Sequence, residues 1–87
     1  MTLWVIRKLQ SDVTSDDRLQ LINSQDTVIV MEDALYYCDK LKEHLMCDIY
    51  ACEEHMYVRG IQFPDIATIP LNEAAKWQVS AKRSISL

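Results

Sequence analysis

A chain of 87 residues has room for one small domain, and a hydrophobic fraction of 49% marks it as globular rather than disordered. A formal net charge of −4 and a pI of about 4.9 argue against a broad nucleic-acid-binding face, and no apolar run is long enough to span a membrane as a helix. The opening run Met1–Ile6 is too short for a secretory leader. The three cysteines, at 38, 47 and 52, form no Cys-x-x-Cys pair, so the expectation is a cytoplasmic protein with reduced thiols. A core this small leaves thin stability, and burial within an oligomer is expected.

Leu3-Trp4-Val5-Ile6 is apolar with β character and predicts a first strand. Gln10 to Thr14 is polar and reads as a loop. Ser15-Asp16-Asp17-Arg18 has the make-up of a helix start, with a capping serine and early acids, and Leu19 and Ile22 form its inward side. Asp26 to Met31 is the clearest strand. Its continuous Val28-Ile29-Val30 run is typical of a parallel sheet covered on both faces. Glu32-Asp33 then opens a helix whose apolar stripe is Ala34, Tyr37, Cys38, Leu41 and Leu45.

Cys47 to Ala51 predicts a third strand, and Glu53 to Val58 a short helix stopped by Gly60. Ile66-Ala67-Thr68-Ile69 is a fourth strand before Pro70, and Asn72 caps a last helix over Glu73–Val79. The basic stretch Ala81–Leu87 is given no element. There is no linker and no internal repeat, so residues 1–87 read as one unit. The β-α alternation predicts a small layered α/β domain, its mainly parallel sheet flanked by helices. Ligand chemistry in such sheets gathers at the carboxyl ends of the strands. Glu32-Asp33 and Cys52-Glu53-Glu54 both fall there.

Cys52 is the sharpest candidate for chemistry. A thiol at a helix N-terminus loses its proton more readily, and His55, one turn on, is its candidate thiolate partner. Glu53 and Glu54 oppose this, because nearby negative charge raises a thiol pKa. The plain alternative is a small residue filling space at the top of the sheet. Cys38, on the apolar stripe, reads as core, and Cys47 as buried. Cys47 and Cys52 are too far apart to bridge, since five residues of strand span roughly 16 Å. His44 and His55 show no metal spacing. Glu32-Asp33 is better explained by helix-end electrostatics than by acid–base work. Trp4 and Trp77 read as core or interface anchors, and Tyr36 as a contact residue for a partner. With Gly60 the only glycine, there is no phosphate-binding loop.

Two segments in the right order resemble the TusB/DsrH family of sulfur-relay subunits, over nearly the whole length. Asp26-Thr27-Val28-Ile29-Val30-Met31-Glu32-Asp33-Ala34 resembles the family's strand followed by Gln-Asp-Gly-Val. Tyr50-Ala51-Cys52-Glu53-Glu54-His55-Met56-Tyr57-Val58-Arg59-Gly60 resembles its Tyr-Ala-Leu-x-Glu-Asp segment ending in Ala-Arg-Gly. The resemblance implies a DsrE/DsrF-like fold and assembly with TusC/TusD-like (DsrF/DsrE-like) sister subunits in a heterohexamer. That complex hands persulfide sulfur to a downstream carrier protein, toward 2-thiolation of the tRNA wobble uridine. No cofactor, direct nucleic-acid contact or membrane contact is implied.

The main sulfur-accepting cysteine of such complexes lies in a sister subunit, so a mainly structural role is expected here. Ala34 stands where the family has glycine. The loop Gln10–Thr14 lacks the cysteine that DsrH proteins can carry, which favours the tRNA branch over sulfur oxidation. Cys52 precedes Gly60 by the spacing of the sister subunits' sulfur site, which makes it a candidate persulfide carrier. A stand-alone homo-oligomeric α/β interaction module is the competing reading.

Overall fold

Five short runs of mostly aliphatic residues line up side by side in one sheet, every neighbouring pair parallel. The computed structural model describes residues 1–87. Strand β1 (Leu3–Ile6) pairs with β2 (Thr27–Val30), β2 with β3 (Asp48–Cys52), and β3 with β4 (Ala67–Ile69). A fifth strand, β5 (Ser84–Ser86), joins the other side of β1, giving the order β4-β3-β2-β1-β5. The chain is therefore an α/β protein with an all-parallel sheet, as the alternation predicts.

The connections follow from handedness. From β1 to β4 the chain steps one way across the sheet, and right-handed crossovers place those linking segments on one face. They are a 3-10 helix over Asp17–Leu21, a second over Glu32–Tyr37 running into α1 (Cys38–His44), and α2 (Glu53–Arg59). The return from β4 to β5 steps the opposite way, and its helix, α3 (Leu71–Ser80), lies on the other face. Strand periodicity sorts the side chains between the two. Trp4, Ile6, Val28, Val30, Ile49 and Ala51 join Leu19, Leu35, Cys38, Leu41 and Met56 on the first face. Leu3, Val5, Ile29 and Cys52 join Met31, Ile69 and Ala74 under α3.

Several expectations are corrected. The segment after β2 begins as a 3-10 helix, so its inward positions recur every three residues. Leu35, Cys38 and Leu41 are buried, while Tyr37 is turned outward at 40% exposure. Residues 17–21 are likewise 3-10, capped by Asp16 rather than Ser15: the Asp16 carboxylate accepts from the Arg18 N–H at 3.1 Å. In the loop before it, Val13 is buried in the core. Strand β3 runs one residue further than expected and takes in Cys52. The C-terminal stretch holds β5, whose Ile85 packs against the first core. Asn72 does not cap α3; Pro70 occupies that position.

One buried carboxylate secures the amino edge of the sheet. Asp26 accepts the Thr2 N–H at 2.9 Å on one oxygen, and the Trp4 indole N–H at 2.9 Å and the Asn23 N–H at 3.1 Å on the other. Burial works against its charge, yet these donors and the N-terminal ammonium outweigh that and hold its pKa below the usual carboxylate value. The total accessible surface is 5442 Å², against about 5,300 Å² expected for a folded monomer of this mass. Its exposed surface is thus that of an ordinary folded chain of this mass.

Candidate functional site

The carboxyl ends of β1, β2, β3 and β4 deliver Arg7, Glu32-Asp33, Cys52 to His55, and Pro70-Leu71 to one edge of the molecule. Register does this. Ile6 lies opposite Val30, and Val30 opposite Ala51, so the residues that follow each strand emerge abreast.

Cys52 ends β3 and occupies the position before the first turn of α2. It lies on the α3 side of the sheet, opposite Ile69, with Met31 and Ala74 in the same cluster, and is 0% exposed. The thiol is sealed from solvent in this arrangement. His55 makes no hydrogen bond to that thiol. The His55 Nδ1 instead accepts the backbone N–H of Glu32 at 3.0 Å. An accepting Nδ1 carries no proton, which puts the ring's proton on Nε2.

Glu32 is the one non-glycine residue with a positive φ, at 53°. For a residue with a Cβ this left-handed conformation costs about 1 kcal/mol or more. Four contacts hold the turn. The His55 ring takes the Glu32 N–H, and the Glu32 carboxylate pairs with Arg7 Nε at 3.1 Å. The Ala34 N–H donates to the Arg7 carbonyl at 3.1 Å, and Asp33 receives Arg59 Nη2 at 3.0 Å. Arg59 also donates through Nη1 to the His55 carbonyl at 3.3 Å, while its buried Nε has no partner.

The remaining acids serve neighbouring elements. Glu53 accepts from the Thr68 hydroxyl at 3.1 Å, and Glu54 accepts the Leu71 N–H at 2.9 Å, so Glu54 supplies the N-terminal cap that α3 lacks locally. The carboxylates of this edge are thus bound to arginines, a hydroxyl and a backbone donor. Arg7 is the residue sequence reasoning missed. Its signal is a cation directly after β1, level with the Glu32-Asp33 pair after β2.

The other thiols are core residues. Burial pushes the Cys38 thiol up to about 12, with Asp39 adding to the effect. Burial also raises Cys47, with Asp26 and Asp48 contributing. Cys47 is half-buried, more open than expected. No group of three or more His, Cys, Asp or Glu side chains is placed to hold a metal ion. No helix is long and apolar enough to cross a membrane.

The most apolar concavity is elsewhere, at the amino edge under α3. Met1, Leu3, Tyr50, Trp77 and Ala81, with Thr27 and Ser80, enclose about 310 Å³ there. Tyr50 and Trp77 meet edge to face, with ring centroids 5.1 Å apart. Trp4 is a core residue, whereas Trp77 stands half-open at this groove, and Tyr36 is exposed. The carboxyl edge is therefore polar, its carboxylates paired and only Arg59 Nε left without a partner, while the amino edge is apolar and open.

No family model and no curated protein matches this sequence.

Proposed function

We propose that this chain is a cytoplasmic subunit of a persulfide-relay complex that supports 2-thiolation of the tRNA wobble uridine, and that its contribution is chiefly structural. The reading rests on the resemblance carried by Asp26–Ala34 and Tyr50–Gly60 to TusB/DsrH subunits. A parallel α/β sheet with helices on both faces is consistent with it. The observation that carries the structural emphasis is the sealed position of Cys52. Sulfur transfer needs thiolate attack on a donor persulfide, and a thiol without solvent access makes no such attack. The half-open face around Tyr50 and Trp77 is the surface offered to TusC/TusD-like sister subunits in a heterohexamer. A downstream carrier would take sulfur from a sister subunit. Neither membrane nor direct nucleic-acid contact is part of the proposal.

A carrier role for Cys52 is the second reading, favoured by its place at the carboxyl edge and its spacing from Gly60. It requires Ile69 and Ala74 to move off the thiol. Native mass spectrometry of the tagged protein from its own cells tests the proposal. Two sister subunits in equal numbers are expected, with no added sulfur on this chain. A bare homo-oligomer would replace the relay reading with a stand-alone α/β interaction module. Sulfur mapped to Cys52 would make the chain a carrier. Cys52→Ala is the variant for measuring flux, because a serine hydroxyl at a buried site without a partner destabilises on its own account, by about 1–3 kcal/mol.

A further inference from the structure

The contact between His55 and Glu32 joins two elements through a bond that only one protonation state permits. The Glu32 N–H points at Nδ1 from 3.0 Å. While Nδ1 holds a lone pair, it accepts. Once the imidazole takes a second proton, both ring nitrogens are donors, and two N–H groups face each other. The Glu32 amide then has no acceptor there, and a backbone already at φ 53° loses one of the contacts that hold it.

The surroundings make this a two-state contact rather than a graded one. In the turn after β2, the Glu32 and Asp33 carboxylates are each held by a guanidinium, Arg7 and Arg59 respectively. On α2 itself, Glu53 and Glu54 are occupied with Thr68 and Leu71, and Arg59 donates to the His55 carbonyl. With Nδ1 accepting, the Glu32 amide and the nearby carboxylates all have partners. A protonated imidazole offers a new cation to the same carboxylates and cannot keep its bond to the Glu32 amide. The charged ring and the Glu32 amide are then both donors, and the bond to the backbone breaks.

We propose that His55 and Glu32 form a proton-operated latch. With neutral imidazole it fastens the first turn of α2 to the end of β2 and keeps Glu32 left-handed. With protonated imidazole it opens, freeing the Glu32–Asp33 turn. The proposal concerns this chain's own fold and stands whether or not the chain belongs to a sulfur relay.

Nuclear magnetic resonance of the isotope-labelled full chain between pH 8 and pH 5 tests it. At the alkaline end, the His55 ring nitrogens should report a bare Nδ1 and a protonated Nε2. Across the titration, the Glu32 amide resonance should follow the His55 ring. Its protection against hydrogen exchange, corrected for the intrinsic pH dependence, should fall roughly tenfold, the equivalent of one net hydrogen bond. His44, the only other histidine, is the internal control and should titrate without moving Glu32. In His55→Gln, which does not titrate, the Glu32 amide should lose its pH response. A protonated Nδ1 at pH 8, or a Glu32 amide that ignores the His55 titration, would overturn the latch. So would an unchanged pH response in His55→Gln.

Discussion

The two faces of the sheet bury apolar surface in different ways. On one face, two 3-10 helices, α1 and α2 close over a cluster of fifteen buried residues. On the other, α3 alone covers seven, and Ala74 is its only fully buried side chain. The first face is a finished core. The second has a packed centre under Ala74 and a half-open border at Tyr50 and Trp77, while Val79 of the same helix is 88% exposed. Beyond Ala74, the helix is held to the sheet by the half-buried Trp77 against Tyr50. That contrast separates a face closed by the chain itself from one that is left partly open.

The comparison is broken most directly by emptying the dense face. Leu41→Ala should cost about 3 kcal/mol, because Leu41 is fully buried among side chains from the sheet and helices. Urea denaturation would show it as a lower midpoint with an unchanged slope. Next in size is Asp26→Asn. The amide cannot serve all three donors, and a loss of about 2 kcal/mol is expected, read in the same way and in altered Trp4 fluorescence.

Acid should probe the same region. The Arg18 guanidinium beside Asp16 outweighs burial and lowers that carboxyl to about 2, and Asp26 is also lowered. Both folded-state values lie below the unfolded ones. Their stabilisation is therefore complete above pH of about 4 and drains away as the pH falls toward 2. For Asp16 alone this is about 2 kcal/mol. A stability profile flat between pH 5 and 2 would contradict it. Smallest in stability should be Trp77→Ala on the thin face. The loss of its edge-to-face contact with Tyr50 should cost about 1 kcal/mol, while the proposed relay assembly requires recovery of sister subunits to fall sharply. Equal losses for Leu41→Ala and Trp77→Ala, with assembly intact, would erase the distinction between the faces.

Much of the dense face was legible in the sequence. Val28-Ile29-Val30 is a strand because three consecutive β-branched residues suit a sheet buried on both sides. Gly60 ends α2 because its φ of 64° is open to glycine at no steric cost. The stripe of the second helical segment was misphased at Tyr37, since a spacing of three or four residues does not reveal where a 3-10 turn passes into an α-helix. Strand β5 was missed because Ser84-Ile85-Ser86 is short, polar and at an edge, although its alternation is a period of two. At the site, Cys52 lies in the expected junction, and its burial fits the space-filling alternative rather than an open thiol. The parity it shares with Tyr50, two residues earlier, puts both on the α3 side. The His55–Glu32 bond joins residues 23 apart, and no local pattern announces such a pair.

The position of β5 beside β1 sets an order of events during synthesis. Synthesis runs from the amino end, so β1 to β4 exist before α3 and β5 and can begin to pair before the other face has its cover. Until they arrive, Leu3, Val5 and Ile29 form a bare apolar strip along an unfinished sheet, and β1 presents an open edge. The α3–β5 segment is thus both the lid of one face and the guard of one edge, and a chain stalled or cut before it would be the species most prone to aggregate.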